Sequence, residues 1–186
     1  MKALVCIVSK EHLTQANAIE ELEAVATSDV LNRGGITVTF VSVEKTKEVQ
    51  AANKAKLVAD LLIGEVHDDY DVIVLPGGMP GAEHLRDSKP LKDLLTRQKA
   101  AGKLIAAICA SPAVVLQSHG LLDGIKATSY PSFQSKLSVP VDEKVVMDKQ
   151  MITSQGPGTA IQFALKIVEV LMGNEKAKAV QTSMLA

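Results

Sequence analysis

Residues 103–120 read KLIAAICASPAVVLQSHG, and this stretch decides the fold. Its first half is a short apolar run ending on Cys109, the length and composition of a buried strand. Its second half opens with Ser111 and Pro112 and closes on Gly120. Proline suits a first helical turn, where its missing N–H goes unneeded, so the spacing predicts a helix over 111–120. A strand passing at once into a helix is half of a parallel crossover unit. The cysteine sits on the turn between them.

Working outward, the same alternation recurs. DVIVLPGG (71–78) is a second buried strand running into glycines, and 88–101 predicts a helix with Ser88 as N-cap and Gly102 past its end. Upstream, 2–8 is an apolar run, 14–33 has helical periodicity ending at Gly34-Gly35, and ITVTFVSV (36–43) is a β-branched strand. The polar stretch 44–56 holds a hairpin or a long loop. Downstream, strands near 143–147 and 151–154 flank a polar turn at 148–150. GPGTAIQFALKIVEVLMG (156–173) predicts a helix with an inward stripe of Ile161, Ala164, Leu165, Val168 and Leu171, and 175–185 a final amphipathic helix. Strands alternating with helices predict an α/β fold, its mostly parallel sheet covered by helices on both faces. With 186 residues and neither repeat nor linker, one domain over 1–186 is expected.

Composition narrows the function. A net charge of −1 without a Lys/Arg block argues against nucleic acid as a partner. No apolar run approaches the length of a membrane span. The N-terminal MKALVCIV lacks a small-residue cleavage site after it, so a signal peptide is not expected. Two cysteines in apolar runs form neither a disulfide framework nor a metal spacing, which suits a reducing compartment and a cytoplasmic location. No pair among the four histidines has metal-ligand spacing, so no metal is expected. His12 is a possible visitor to a site from the loop after the first strand; His67 and His84 read as loop residues, and His119 as a helix C-cap.

In sheets of this kind, ligands bind at the carboxyl ends of the strands, where Gly77, Gly78, Cys109 and the loop after the first strand converge. A thiol at a helix mouth faces unpaired N–H groups that favour thiolate, and the turn projects the sulfur outward. The plainer reading, a small buried hydrophobe, stands beside it with equal weight. Cys6, mid-strand, reads as core. Glu23 lies near the edge of an apolar stripe, where a desolvated carboxyl stays protonated and can donate to a thiolate. Asp29 also falls within that stripe, whereas Glu20 and Glu21 read as solvated. For Glu23 and Asp29 the residues alone favour an edge position reaching water. Gly77-Gly78 and Gly156-Pro157-Gly158 match no nucleotide fingerprint; the N–H groups of Gly78 and Ala110 are better suited to an oxyanion.

Four stretches, AIEELEAV with Glu23, DVIVLPGGMPGAE, LIAAICASPAVVL with Cys109, and TSQGPGTAIQFALKIVEVL, together resemble the ThiJ/PfpI superfamily. Within it the likeness is to the YajL-like branch, which includes the human parkinsonism-associated protein. The resemblance covers essentially the whole chain. It implies a flavodoxin-like three-layer sandwich, a homodimer, and a catalytic pair in which Glu23 is hydrogen-bonded to the sulfur of Cys109. It places the oxyanion donors on Gly78 and Ala110 and a substrate contact at Gly77; Tyr130 either hydrogen-bonds the substrate or, as the default reading, simply packs. It further implies cofactor-free, glutathione-independent glyoxalase or deglycase-like activity on small 2-oxoaldehydes or glycated substrates. The redox-sensing chaperone reading, with unfolded proteins as partners, stays open beside it. Two departures mark this chain: Tyr130 stands where the human branch has histidine, and Ala110 where peptidase-like members have histidine, which disfavours a Cys-His protease.

Overall fold

The computed structural model describes residues 1–8 and 18–186. In chain order its strands are β1 (Lys2–Ile7), β2 (Thr37–Ser42), β3 (Glu48–Gln50), β4 (Lys56–Val58), β5 (Leu61–Leu62), β6 (Val72–Leu75), β7 (Leu104–Ile108), β8 (Lys126–Ala127), β9 (Val139–Pro140), β10 (Val145–Asp148) and β11 (Met151–Ser154). The α-helices are α1 (Glu21–Arg33), α2 (Gly81–Asp87), α3 (Lys89–Ala100), α4 (Ala160–Met172) and α5 (Asn174–Ser183). Seven strands form the main sheet in the order β10-β11-β7-β6-β1-β2-β5, parallel throughout except for β10 on β11.

The central strands are near-continuous apolar runs because both sheet faces are covered. Every residue of β6 and β7 is buried, as is β1 beyond Lys2. Packed against each other, α1 and α4 cover one face, with α5 on α4, while α2, α3 and the helical turn after β7 lie on the other. The covered, mostly parallel sheet is as the sequence predicts, and the architecture is the flavodoxin-like sandwich that the resemblance implies. The 44–58 region is a hairpin, β3 pairing antiparallel with β4.

Several expectations need correction. The helix predicted from residue 14 begins at Glu21; 14–17 lie outside the described residues, and 18–20 are not helical. Tertiary bonds hold the chain extended there: the Glu20 N–H donates to the Gly77 carbonyl at 3.0 Å, and the Ile19 carbonyl accepts from Ala52 N–H at 3.0 Å. After Cys109 the chain forms a π-helical turn, Pro112–Gln117, instead of a regular α-helix. In α4 the inward stripe is Ala160, Phe163, Ala164, Ile167 and Val168, with Ile161 facing solvent. Ala164 and Val168 lie in the predicted stripe and Leu165 and Leu171 pack against the core partly buried, so the seam is shifted toward Phe163 and Ile167 and only Ile161 is misplaced. α2 was not expected; it places His84 on a helix, where its Nδ1 meets Glu44 Oε1 at 3.0 Å. His119 Nε2 donates to the carbonyl of Arg86, at the end of α2, at 3.0 Å, and burial lowers its pKa. It therefore serves a neighbouring helix as a neutral ring.

Candidate active site

Cys109 follows the last residue of β7 with φ +64°, a conformation that costs a non-glycine residue on the order of 1 kcal/mol. Its neighbours hold it there. Its N–H donates to the Ser154 carbonyl at 3.0 Å and its own carbonyl accepts from Tyr130 N–H at 2.7 Å, tying the elbow to β11 and to the 128–130 segment. The turn aims the sulfur off the end of the sheet, toward the glycines that follow β6.

Gly77 presses directly on the cysteine. A Cβ at Gly77 would stand 2.5 Å from Cys109 Cβ and 2.9 Å from Ala110 N, so no side chain fits there. Gly78, at φ +90°, is equally restricted, since a Cβ there would lie 2.6 Å from the Ala18 carbonyl oxygen. This crowding brings the N–H groups of Gly78 and Ala110 onto the sulfur as hydrogen-bond donors. The two proposed oxyanion donors thus converge on the Cys109 sulfur.

Glu23 comes from the first turn of α1 and is fully buried, not an edge residue reaching water. Glu23 Oε2 accepts from Gly77 N–H at 2.7 Å. No nitrogen or oxygen donor reaches Oε1 among the described residues, and the carboxyl's remaining partner is the Cys109 thiol. Asp29 instead reaches solvent and pairs with Arg33 at 2.8 Å. Glu20 and Glu21 are only partly exposed, and the side chain of each accepts from Asn53 in the hairpin turn.

Burial pushes the Glu23 carboxyl up to about 7, against the Gly77 and Cys109 hydrogen bonds that favour its charge. Burial, with the neighbouring Glu23 charge, pushes the Cys109 thiol up to about 12. This corrects the expectation of a thiolate set by a helix dipole. The two groups lose protons as a pair. Once the first proton has gone, a single negative charge is shared between sulfur and carboxyl, and a second cannot form beside it near neutral pH. Such a pair can present a nucleophilic sulfur while the carboxyl holds the proton, and it can reverse those roles.

A raised carboxyl pKa has a consequence for stability. The folded chain holds the Glu23 proton more tightly than the unfolded one, so its contribution to stability falls as pH rises from 4.5 to about 7. Glu23→Gln removes that slope. The gap in melting temperature between Glu23→Gln and wild type is expected to widen in favour of the variant across this window, then level off. A gap that stays constant with pH would contradict the assignment.

Tyr130 is 45% exposed beside the elbow, and its ring lies on Gly156. The Gly156 N–H is occupied by Thr159 Oγ1 at 3.1 Å, so that loop is a braced turn and not a phosphate cradle. Cys6 is fully buried, as a core residue should be. His67 lies in a loop, and His12 falls outside the described residues. Among the described residues no group of three or more His, Cys, Asp or Glu is placed to hold a metal, and no helix is long and apolar enough to cross a membrane.

A thiol on a positive-φ elbow, at the carboxyl end of a central parallel strand and against a buried carboxyl, defines a flavodoxin-like α/β protein with a cysteine–glutamate site. The DJ-1/PfpI family pattern matches residues 10–170, and the chain belongs to that family. It is 45% identical over 175 residues to Protein DJ-1 homolog A of Arabidopsis thaliana, a match covering 91% of this chain and 45% of the relative. It is 39% identical over 165 residues to the glutathione-independent glyoxalase DJR-1.2 of Caenorhabditis elegans, covering 86% of this chain and 87% of that protein. The solved structure of oxidized Toxoplasma gondii DJ-1 superposes with a TM-score of 0.93 at 45% identity, covering 99% of this chain and 97% of that one. The chain spans less than half the length of the two Arabidopsis relatives, 45% of homolog A and 38% of homolog B.

Proposed function

We propose that this protein is a cofactor-free glyoxalase that converts small 2-oxoaldehydes to 2-hydroxy acids without glutathione. The observation that carries the reading is the buried contact between the Glu23 carboxyl and the Cys109 thiol, with two backbone N–H donors on the sulfur. The name of the C. elegans relative supports the same chemistry.

The steps follow from that geometry. Sulfur attacks the aldehyde carbon, the C=O π bond opens, and the resulting oxyanion meets the N–H groups of Gly78 and Ala110 before it takes up a proton. Glu23, left a carboxylate by giving that proton, removes the hydrogen from carbon 1; the carbon 1 hydroxyl gives up its proton as the carbon 2 oxygen takes one, and Glu23 returns its proton to carbon 2. Carbon 1 is oxidised and carbon 2 reduced by the same electron pair, so no external oxidant or reductant enters. The product is a 2-hydroxyacyl thioester on Cys109. Water cleaves it, releasing the 2-hydroxy acid and restoring the thiol. Attack on a glycated adduct would use the same sulfur and donors, which is the deglycase-like variant of the reading. Tyr130, exposed beside the elbow, is the side chain assigned in this reading to touch the substrate.

A second reading, redox sensing with chaperone activity, is favoured by one observation: the close structural relative was solved in an oxidised form. Methylglyoxal supplied in glutathione-free buffer separates the two. Lactate formed in proportion to enzyme and time supports the glyoxalase. No lactate above background, with selective oxidation of Cys109 by dilute peroxide, supports the sensor. The proposal includes a homodimer, which sedimentation of the purified chain tests directly.

A further inference from the structure

Ser111 stands two residues after the cysteine, at the start of the π-helical turn, and it is fully buried. A serine at a helix start ordinarily turns its hydroxyl onto the N–H groups of its own first turn. Here it makes no such cap. Its Oγ–H crosses instead to the end of β6 and donates to the Pro76 carbonyl at 2.5 Å.

That carbonyl belongs to the same planar peptide unit as the Gly77 N–H. A peptide group is rigid, so fixing its oxygen fixes the direction of its N–H on the opposite side. The Gly77 N–H is the donor to Glu23 Oε2 at 2.7 Å. The hydrogen bonds therefore run in one line, from the Ser111 hydroxyl through the Pro76–Gly77 peptide to the Glu23 carboxyl. Each bond in such a chain polarises the next, so an O–H donating to the carbonyl strengthens the N–H as a donor. The next peptide along carries the Gly78 N–H that reaches the sulfur. A second anchor braces the same glycine, its carbonyl accepting from Glu20 N–H at 3.0 Å.

We infer that Ser111 is a positioning residue for the proposed reaction, acting through the Pro76–Gly77 peptide to aim and strengthen the N–H that holds the Glu23 carboxylate beside Cys109. It touches neither substrate nor sulfur in this role. The inference rests on the cysteine–glutamate chemistry above, but one of its readouts does not need turnover.

The test compares wild type with Ser111→Ala, Ser111→Thr and Ser111→Cys. The first readout is the pH profile of Cys109 alkylation by iodoacetamide, followed by mass spectrometry of the modified peptide; the second is kcat and KM with methylglyoxal. Losing the hydroxyl weakens a donor to the carboxylate, so the Ser111→Ala alkylation midpoint moves to higher pH, by roughly half to one unit. Its kcat falls about tenfold while KM stays within about twofold of wild type. Ser111→Thr restores both, and Ser111→Cys, a weaker donor of similar size, falls between. A folded Ser111→Ala with wild-type alkylation profile and kcat would overturn the inference. If Ser111→Ala fails to fold, equal profiles for Ser111→Thr and Ser111→Cys would overturn it instead. Should wild type make no lactate, the glyoxalase reading fails while the alkylation comparison still decides the role of Ser111.

Discussion

Glu23→Gln is expected to leave a folded protein that has lost nearly all lactate formation, with kcat down about 10²- to 10⁴-fold, the range for removing a general acid–base group. Glutamine keeps the length of the side chain and an oxygen to accept from Gly77 N–H, the 2.7 Å bond that anchors the carboxyl. It cannot take the hydrogen from carbon 1 or return one to carbon 2. Nor can it hold the proton that the thiol gives up, so sulfur attack slows along with the transfer between the two carbons. The uncharged amide also escapes the desolvation that pushes the native carboxyl up to about 7. The variant should therefore be the more thermally stable protein above that pH. Less activity together with more stability is the signature of a buried ionisable group kept for chemistry. Steady-state kinetics and thermal melts on the same preparations measure both. A Glu23→Gln protein within a few-fold of wild-type kcat would remove the carboxyl from the mechanism.

Gly77→Ala is also expected to have a large effect, through sterics alone. The added methyl carbon would stand 2.5 Å from Cys109 Cβ, 3.0 Å from its sulfur and 2.9 Å from the Ala110 nitrogen. None of these is the far end of a flexible side chain, so the elbow or the β6 turn must move. Overpacking of this kind costs about 1–3 kcal/mol in stability. The functional loss should be larger in proportion, because a displacement near 1 Å at the reacting atoms costs on the order of 100-fold in rate. Gly64→Ala is the control: nothing lies within 4 Å of its added carbon, and activity and melting temperature should match wild type. Comparable activity in Gly77→Ala and Gly64→Ala would show that the tight contact at Cys109 does not matter.

Much of the site is legible in the sequence for identifiable reasons. The elbow at Cys109 can be read because an apolar strand, a cysteine and a Ser-Pro helix start follow one another without a spacer. Gly78 and Ala110 follow from the same local geometry. Glu23 is harder. Its burial depends on α1 starting at Glu21, and that start is imposed by hydrogen bonds from Gly77 and Ala52, residues more than thirty positions away. Helical periodicity extended back to residue 14 puts the carboxyl on an edge, so only the family resemblance set it beside Cys109. The raised Glu23 carboxyl is legible from its place by the apolar stripe, but the raised Cys109 thiol is not, since a dipole argument at the cysteine omits its burial and the Glu23 charge beside it. Ser111 leaves no periodic signal at all. As a residue type it reads as an N-cap, and only the fold shows that its hydroxyl leaves its own helix for Pro76. The short α2 was missed because seven residues starting at a glycine carry too few turns to show a stripe.

The account stands on one claim, that the Cys109 sulfur carries the reaction, and the direct test compares Cys109→Ala with Cys6→Ala in glutathione-free methylglyoxal. Cys6 is fully buried in β1, and burial raises its thiol pKa far beyond the physiological range, so Cys6→Ala should form lactate at close to the wild-type rate. Cys109→Ala should form none above the uncatalysed background. Lactate production that survives in Cys109→Ala would contradict the account.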